Sequence, residues 1–317
     1  MSIKATLAGI CHSIKIPRAC YPAKKVLIVE GGGMRGIFAA GALHAFSDRG
    51  YFPWKLIIGT SAGAITATVY AAGQIHLLRD VFFTDLLSGN FVQLSNLFRS
   101  SKHVIDLDRL VEKLFHHDEA LNLRALRRGC PVLVTATRFH TEKPPETVFL
   151  HSKKDDLRQA LKASAALPIF YSGFVTCSNQ QLLDGGILNA IPYSKALKMG
   201  YREEDILVVV TRKKGFRKRP LSLGYRTFYE SYYREPQYRH LLEAIKNQYL
   251  AYNKFLDSLE HEHKKIDVIY PPDDFRVDRL TKDAKKIIDG FEQGIQAGKQ
   301  FLLNRRREAQ EPHEHSR

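Results

Sequence analysis

The sequence is poor in cysteine, in acid and in long apolar runs, and each shortage excludes something. Four cysteines, Cys11, Cys20, Cys130 and Cys177, are scattered over 317 residues without a C-x-x-C pair. That excludes a disulfide framework and reads as reduced thiols in a cytoplasmic protein. Met1 to Cys20 holds no continuous hydrophobic region, so no secretory signal is expected. Leu56 to Leu78 lacks Asp, Glu, Lys and Arg, yet Gly59, Thr60, Ser61, Gly63, Thr66, Thr68 and Gly73 interrupt it. A buried strand and a buried helix explain it better than a membrane span. Acids number 33 against 48 Lys and Arg, a formal net charge of +15. The excess suits plain solubility or peripheral contact with an anionic surface, such as the inner membrane face. No basic segment carries the pattern of an RNA-recognition sheet, a helix-turn-helix or a zinc finger, so no nucleic-acid partner is expected. The 13 histidines include His116-His117, His261-Glu262-His263 and His313-Glu314-His315. Neighbours one or two apart diverge on a helix, so these read as solvated surface, with no metal and no cofactor. There are no repeats.

What is present is an α/β pattern. Lys25 to Glu30 is a continuous apolar run suited to a central parallel strand. A glycine run follows, then a thin helix from about Ile37 to Asp48, whose Ala39, Ala40, Gly41 and Ala42 allow close approach to a sheet. Leu56 to Gly59 is the next strand, and Ala64 to Ala72 the next helix. Strand, helix, strand, helix is the signature of a parallel unit. Leu78 to Arg128 reads as amphipathic helix broken near Ser88-Gly89-Asn90, with Asp106 as a cap for Leu107 to Phe115. Its aromatic stretch, Phe82 to Phe98, suits core or an acyl-binding wall. Pro131 to Thr141 and Thr147 to His151 form a hairpin, and a helix spans Asp155 to Ala166. Short strands flank Ser178-Asn179, a helix runs from Pro192 to Gly200, and Ile206 to Val210 is another apolar strand. Beyond it come a basic loop, Arg212 to Arg219, and a tyrosine-rich segment. A long helix over Tyr238 to Glu262, a strand over Ile266 to Tyr270 and a helix over Thr281 to Leu303 close the chain. The expected organisation is an irregular leader (1–24), a catalytic domain (25–212), a helical extension with one strand packed on it (213–303), and a charged, disordered tail (304–317).

Chemistry concentrates in three motifs. Gly31-Gly32-Gly33-Met34-Arg35-Gly36 follows the first strand, and bare backbone N–H groups there can close on an oxyanion. Gly59-Thr60-Ser61-Ala62-Gly63 is the G-x-S-x-G pattern of a nucleophile elbow, where a strand-to-helix turn lifts a serine Oγ from the sheet. Asp184-Gly185-Gly186 delivers an aspartate from a strand end. Gly31, Gly33 and Gly36 also satisfy G-x-G-x-x-G, but a dinucleotide site needs an acid at the end of the second strand. Ile58-Gly59-Thr60 stands there instead. Singly, Ser61 reads as a small turn residue and Asp184 as a helix cap. In this order, between these strands, they read as a hydrolytic pair. A triad completed by His240, His261 or His263 is the minor variant.

The three motifs resemble those of the patatin-like phospholipase family, most closely its bacterial members. The similarity covers roughly Val26 to Thr211 and includes Ala163-Ser164-Ala165-Ala166-Leu167-Pro168 and Asn189 to Pro192. The first motif begins with Glu30 where many members have aspartate. The resemblance implies a three-layer α/β fold with a mainly parallel sheet between helices. It implies a Ser–Asp dyad, Ser61 as nucleophile and Asp184 as general base, with an oxyanion hole from the N–H groups of Gly32, Gly33 and Met34 and a basic motif residue at Arg35. Gly31, Gly36, Gly59, Gly63, Gly185 and Gly186 complete the motifs. The expected activity is acyl-ester hydrolysis of lipids, of phospholipase or lysophospholipase type. The rival class is a membrane- or protein-binding regulator on a hydrolase scaffold, motivated by the basic loop.

Overall fold

The computed structural model describes residues 24–80, 106–116, 120–263 and 265–310. Phe82 to Phe98, Cys11, Cys20 and the final His pair lie outside the described residues.

The apolar runs form one eight-stranded sheet. Its strands are β1 (Val26–Val29), β2 (Leu56–Thr60), β3 (Val132–Arg138), β4 (Glu146–His151), β5 (Val175–Cys177), β6 (Gln180–Asp184), β7 (Ile206–Val209) and β8 (Asp267–Ile269). The order is β5-β6-β3-β2-β1-β7-β8, with β4 also paired to β3. The run β3-β2-β1-β7-β8 is parallel. β4, β5 and β6 are antiparallel additions. The Ser178-Asn179 turn joining β5 to β6 has φ of 49° and 58°, the positive values a two-residue hairpin needs.

Burial of β1 and β7 on both faces explains why they read as unbroken apolar runs rather than alternating ones. Side chains still alternate. Leu27, Val29, Leu207 and Val209 face one helical layer, and Val26, Ile28, Ile206 and Val208 face the other. The first layer contains α1 (Gly36–Asp48), α2 (Ala62–Ala71), α4 (Leu107–His116), α6 (Leu157–Ala165) and α10 (Ala284–Gln310). The second contains α7 (Tyr193–Lys198) and α9 (Arg239–Asp257). The short helices α3 (His76–Asp80) and α5 (Leu123–Arg128) complete the first half of the chain. Asp106 caps α4 as expected, its Oδ1 accepting from Arg109 N–H at 3.0 Å.

The structure departs from the sequence expectation in two places. The small face of α1 meets a helix as well as the sheet. A Cβ on Gly41 would stand 2.1 Å from the Phe291 carbonyl oxygen, and one on Gly294 would stand 2.1 Å from that of Phe38. The backbones of α1 and α10 therefore touch, which only glycine at both positions permits. The other departure is that α10 runs past Leu303 to Gln310. Arg305 pairs with Glu308 one turn on, and lies 3.9 Å from Asp267 on β8, so the start of the expected tail is anchored helix. The tyrosine-rich segment folds as α8 (Leu223–Tyr232), and Tyr229 and Tyr233 are buried with Phe139, Leu183 and Ile245.

Candidate active site

The sheet register explains how two residues 123 positions apart in sequence meet. Thr135 of β3 lies opposite Thr60 on one edge and Phe149 on the other. Ala136, the next residue, lies opposite Asp184 and Val148. Since β4 occupies one edge throughout, β2 and β6 must share the other. They run in opposite directions and end head to head at consecutive β3 positions. Ser61, one residue past β2, thereby reaches the last residue of β6, and its side chain lies beside the Asp184 carboxylate, both lining one cavity.

Ser61 occupies the strained turn that the motif predicts, with φ 55° and ψ −130°. Such a conformation costs about 1–3 kcal/mol and persists only where neighbours enforce it. Two close approaches do so. A Cβ on Gly59 would fall 2.5 Å from Ala64 Cα, and one on Gly63 would fall 2.4 Å from the Val29 carbonyl oxygen. A further restraint is a hydrogen bond: the Ser61 N–H donates to Ser164 Oγ at 2.8 Å, and that hydroxyl donates to the Thr135 carbonyl at 2.6 Å. Ser164 is fully buried on α6. Its place in a matching stretch was legible in the sequence, but its task was not. Following Ser61, α2 directs the unpaired N–H groups of its first turn, and its positive dipole end, toward the serine.

Asp184 is 5 % exposed. Burial pushes its carboxyl above the usual carboxylate range, opposed by hydrogen bonds from Ser61 and from the Gly186 N–H at 2.6 Å, and by the charges of Arg279 and Lys218. Gly185 must lack a side chain, because a Cβ there would lie 2.4 Å from the Thr135 carbonyl oxygen.

The glycine run lies against this pair, where a Cβ on Gly31 would fall 2.7 Å from Ser61 Cβ. Gly33 has φ 58°. The Met34 N–H is already committed, donating to the Arg279 carbonyl at 3.0 Å. It is thus not free to serve as the third donor expected from the sequence. The N–H groups of Gly32 and Gly33 have no acceptor recorded among the described residues. Glu30 has a fastening role that sequence alone did not show. Its carboxylate accepts from Thr211 N–H at 2.6 Å, Thr211 Oγ1 at 3.1 Å and Tyr252 Oη at 2.7 Å. It ties the ends of β1 and β7 to α9.

These groups line a cavity of about 140 Å³. Ile65, Leu107, Leu110 and Leu167 contribute apolar wall, and Arg35, Arg212, Lys218 and Arg279 contribute charge. No histidine lines it among the described residues. His263 is engaged by Glu203 at 2.7 Å, and His240 contacts Arg239. The triad variant therefore gains nothing from the geometry. Among the described residues no His, Cys, Asp or Glu group is arranged to hold a metal ion. The basic loop is mostly committed to the protein itself. Arg217 pairs with Asp257 at 2.6 Å and Glu260 at 2.7 Å, Lys213 donates to the Asp273 carbonyl, and Arg212 stacks on Phe216. Of its six cations only Lys214 and Arg219 are exposed. Among the described residues no helix is long and apolar enough to cross a membrane.

With the serine elbow, the aspartate and the glycine run assembled at one cavity, comparison with known proteins becomes decisive. A family profile described as Patatin-like phospholipase matches residues 27–197, more than half the chain. The chain belongs to the patatin-like phospholipase family. A second profile, a domain of unknown function (DUF6363), matches residues 238–307 of this patatin-like chain, the segment that carries α9, β8, Arg279 and α10. An uncharacterized protein of Escherichia coli strain K12, YjjU, is 28 % identical over 296 residues, covering 90 % of this chain and 79 % of that one. The "Probable lipid hydrolase 463L" of Invertebrate iridescent virus 6 is 25 % identical over 214 residues, covering 59 % and 69 %. Among solved structures, VipD from Legionella pneumophila aligns with a TM-score of 0.47 at 14 % identity, over 96 % of this chain and 73 % of that one.

Proposed function

We propose that the protein is a serine hydrolase that cleaves acyl esters of lipids, with Ser61 as nucleophile and Asp184 as its base. The observation that carries this reading is the strained Ser61 set beside a buried Asp184 and two glycine amides that have no partner among the described residues. Membership of the family and the lipid-hydrolase name of the viral relative support the substrate class.

In the proposed reaction, Asp184 takes the Ser61 proton while Oγ bonds to the ester carbonyl carbon. The oxyanion of the tetrahedral intermediate accepts hydrogen bonds from Gly32 and Gly33, aided by the α2 N-terminus. Collapse breaks the ester C–O bond, and the departing alcohol takes the proton from Asp184. Water then attacks the acyl-enzyme, giving its proton to Asp184, and the carboxylic acid leaves as Ser61 is regenerated. A carboxylate is an ordinary match for this work only when desolvated, because burial raises its affinity for a proton.

The rival reading, a binder on a hydrolase scaffold, draws little support from a basic loop of whose six cations only Lys214 and Arg219 are exposed. Labelling with a fluorophosphonate probe tests the proposal. Wild-type protein is expected to label, and Ser61→Ala to lose labelling altogether. Turnover of a monoacyl ester should fall by a factor on the order of 10⁴–10⁶ in Ser61→Ala. Labelling that persists in Ser61→Ala would refute the assignment.

A further inference from the structure

The cavity carries more positive charge than an ester needs. Its lining holds Arg35, Arg212, Lys218 and Arg279 against two carboxylates, Glu30 and Asp184. Neither acid is spare. Glu30 is held by Thr211 and Tyr252, and Asp184 accepts from the Gly186 N–H and stands beside Ser61 as its base. No salt bridge is formed by Arg35 or Arg279 among the described residues, and the nearest carboxylate to Arg212 is Asp278, 3.8 Å away and 82 % exposed. Arg35 is the sharpest case. It is 4 % exposed, yet its Nε and one terminal nitrogen have no hydrogen-bond partner. A buried guanidinium without an acceptor is costly unless something else occupies the site.

We propose that these four side chains form a subsite for a terminal phosphate, so that the preferred substrates are acyl esters of an alcohol phosphomonoester, such as acylated glycerol phosphate. This rests on the hydrolase reading above and specifies its substrate. A phosphomonoester carries about −1.5 to −2 charge at neutral pH and offers three acceptor oxygens, which suits a cluster of arginines and a lysine better than a neutral or singly charged head group.

Topology supports a substrate with two unlike ends. The cations leave β1, β7 and β8, which lie on one side of β2 and Ser61. Ile65, Leu107, Leu110 and Leu167 of the apolar lining come from α2, α4 and the loop after α6, whose strands lie at β2 and beyond it, while Met34, Phe216 and Leu280 add apolar surface among the cations. A phosphate on the first side and an acyl chain on the second would bring the ester between them to Ser61. The wall is also held ready. The Lys218 backbone makes two hydrogen bonds with the Asn253 side chain, at 2.7 and 3.0 Å, and its Nζ donates to Gln248 Oε1 at 2.5 Å. Burial, and after it the repulsion of neighbouring cations, lowers the proton affinity of Arg35 and Lys218. Arg35 is pushed down to about 10 by burial, by Arg212 and by Arg279, with Glu30 opposing, and Lys218 is pushed down to about 7 by burial, Arg279 and Arg35, with Asp184 and Glu30 opposing. A bound dianion would relieve both. Arg279 and Gln248 fall within the second matched profile, which gives that segment a task in substrate choice.

The test compares 1-oleoyl glycerol 3-phosphate with 1-oleoylglycerol, which share acyl chain and ester and differ in the phosphate. Wild-type kcat/KM is expected to favour the phosphate ester by about tenfold or more, and Lys218→Met or Arg279→Gln to reduce that ratio about tenfold. Lys214→Met, an exposed lysine of the same loop, should leave the ratio as it is. Equal kcat/KM for the two substrates, or a Lys218→Met variant that lowers both alike, overturns the proposal. Equilibrium binding of the non-hydrolysable 1-O-alkyl glycerol 3-phosphate against 1-O-alkylglycerol to the wild type decides independently of whether the variants fold. Tighter binding of the phosphate supports the subsite, and equal binding removes it. Inorganic phosphate should compete with the phosphate ligand; competition by phosphate with no preference between the two lipids would mean an ion site unrelated to substrate, and would also overturn the proposal. Fluorophosphonate labelling separates the failures: a protein that labels at Ser61 without phosphate preference loses only this inference, and one that does not label loses both.

Discussion

Replacing Ser164 with alanine should disable Ser61 without touching it. The Ser164 hydroxyl accepts the Ser61 N–H at 2.8 Å and donates to the Thr135 carbonyl at 2.6 Å, and the side chain is fully buried, so no bulk water stands ready to replace it. Orphaning a buried donor costs about 1–3 kcal/mol. Holding Ser61 at φ 55° costs about the same. The bond and the strain are thus close in size, and removing the bond leaves the turn free to relax away from the attacking geometry. A loss of about 1–3 kcal/mol in the reactive arrangement corresponds to a fall of roughly 5- to 150-fold in rate. The assay is the second-order rate constant for fluorophosphonate labelling, followed together with the thermal midpoint. Ser164→Thr keeps the hydroxyl and should recover much of the labelling, although its extra methyl will cost stability in a filled site. Wild-type labelling by a folded Ser164→Ala protein would refute the claim that this bond holds the elbow.

Burial and close packing give three more predictions. Burial holds the Asp184 proton affinity above the ordinary carboxylate value, so the acidic limb of kcat/KM should lie above the range of an exposed aspartate, as a pH profile would show. The same shift makes the charged carboxylate a stability cost: the favourable protonated contribution is present below the unfolded pKa and is lost as pH rises through the folded one. Asp184→Asn should therefore be inactive yet melt higher than wild type at neutral pH, with the gap closing in acid; an equal or lower melting point at neutral pH would contradict it. Gly294→Ala places a Cβ 2.1 Å from the Phe38 carbonyl oxygen and should destabilise the fold by about 1–3 kcal/mol in a denaturant titration, because α1 and α10 must separate. An unchanged midpoint would mean that α10 does not pack as described.

The strands, their parallel character and the strained turn at Ser61 were legible because each is a local matter. Val26 to Val29 and Ile206 to Val209 are apolar at every position because they are covered on both faces. The glycines around Ser61 announce a turn in which no Cβ fits, and the comparisons bear out the family that those motifs suggested. The small residues of α1 were also visible, but not that their partner would be a helix some 250 residues later in the chain. The basic loop read as a free patch because sequence shows charge and not pairing. Asp257 and Glu260, which neutralise Arg217, arrive only through α9 and the turn after it.

Sequence by itself determined which residues are the candidates for the chemistry: a serine after a strand, an aspartate at the end of another, and a run of glycines, each set by steric rules acting within a few residues. Tertiary structure alone decided how they meet and what surrounds them. The meeting of β2 and β6 along one edge of β3, the hold of Ser164 on Ser61, the loss of the Met34 amide to Arg279 and the gathering of cations around the cavity all depend on long-range pairing. The register of a sheet and the approach of distant helices follow from burying the whole core at once, and no window of the chain encodes that sum.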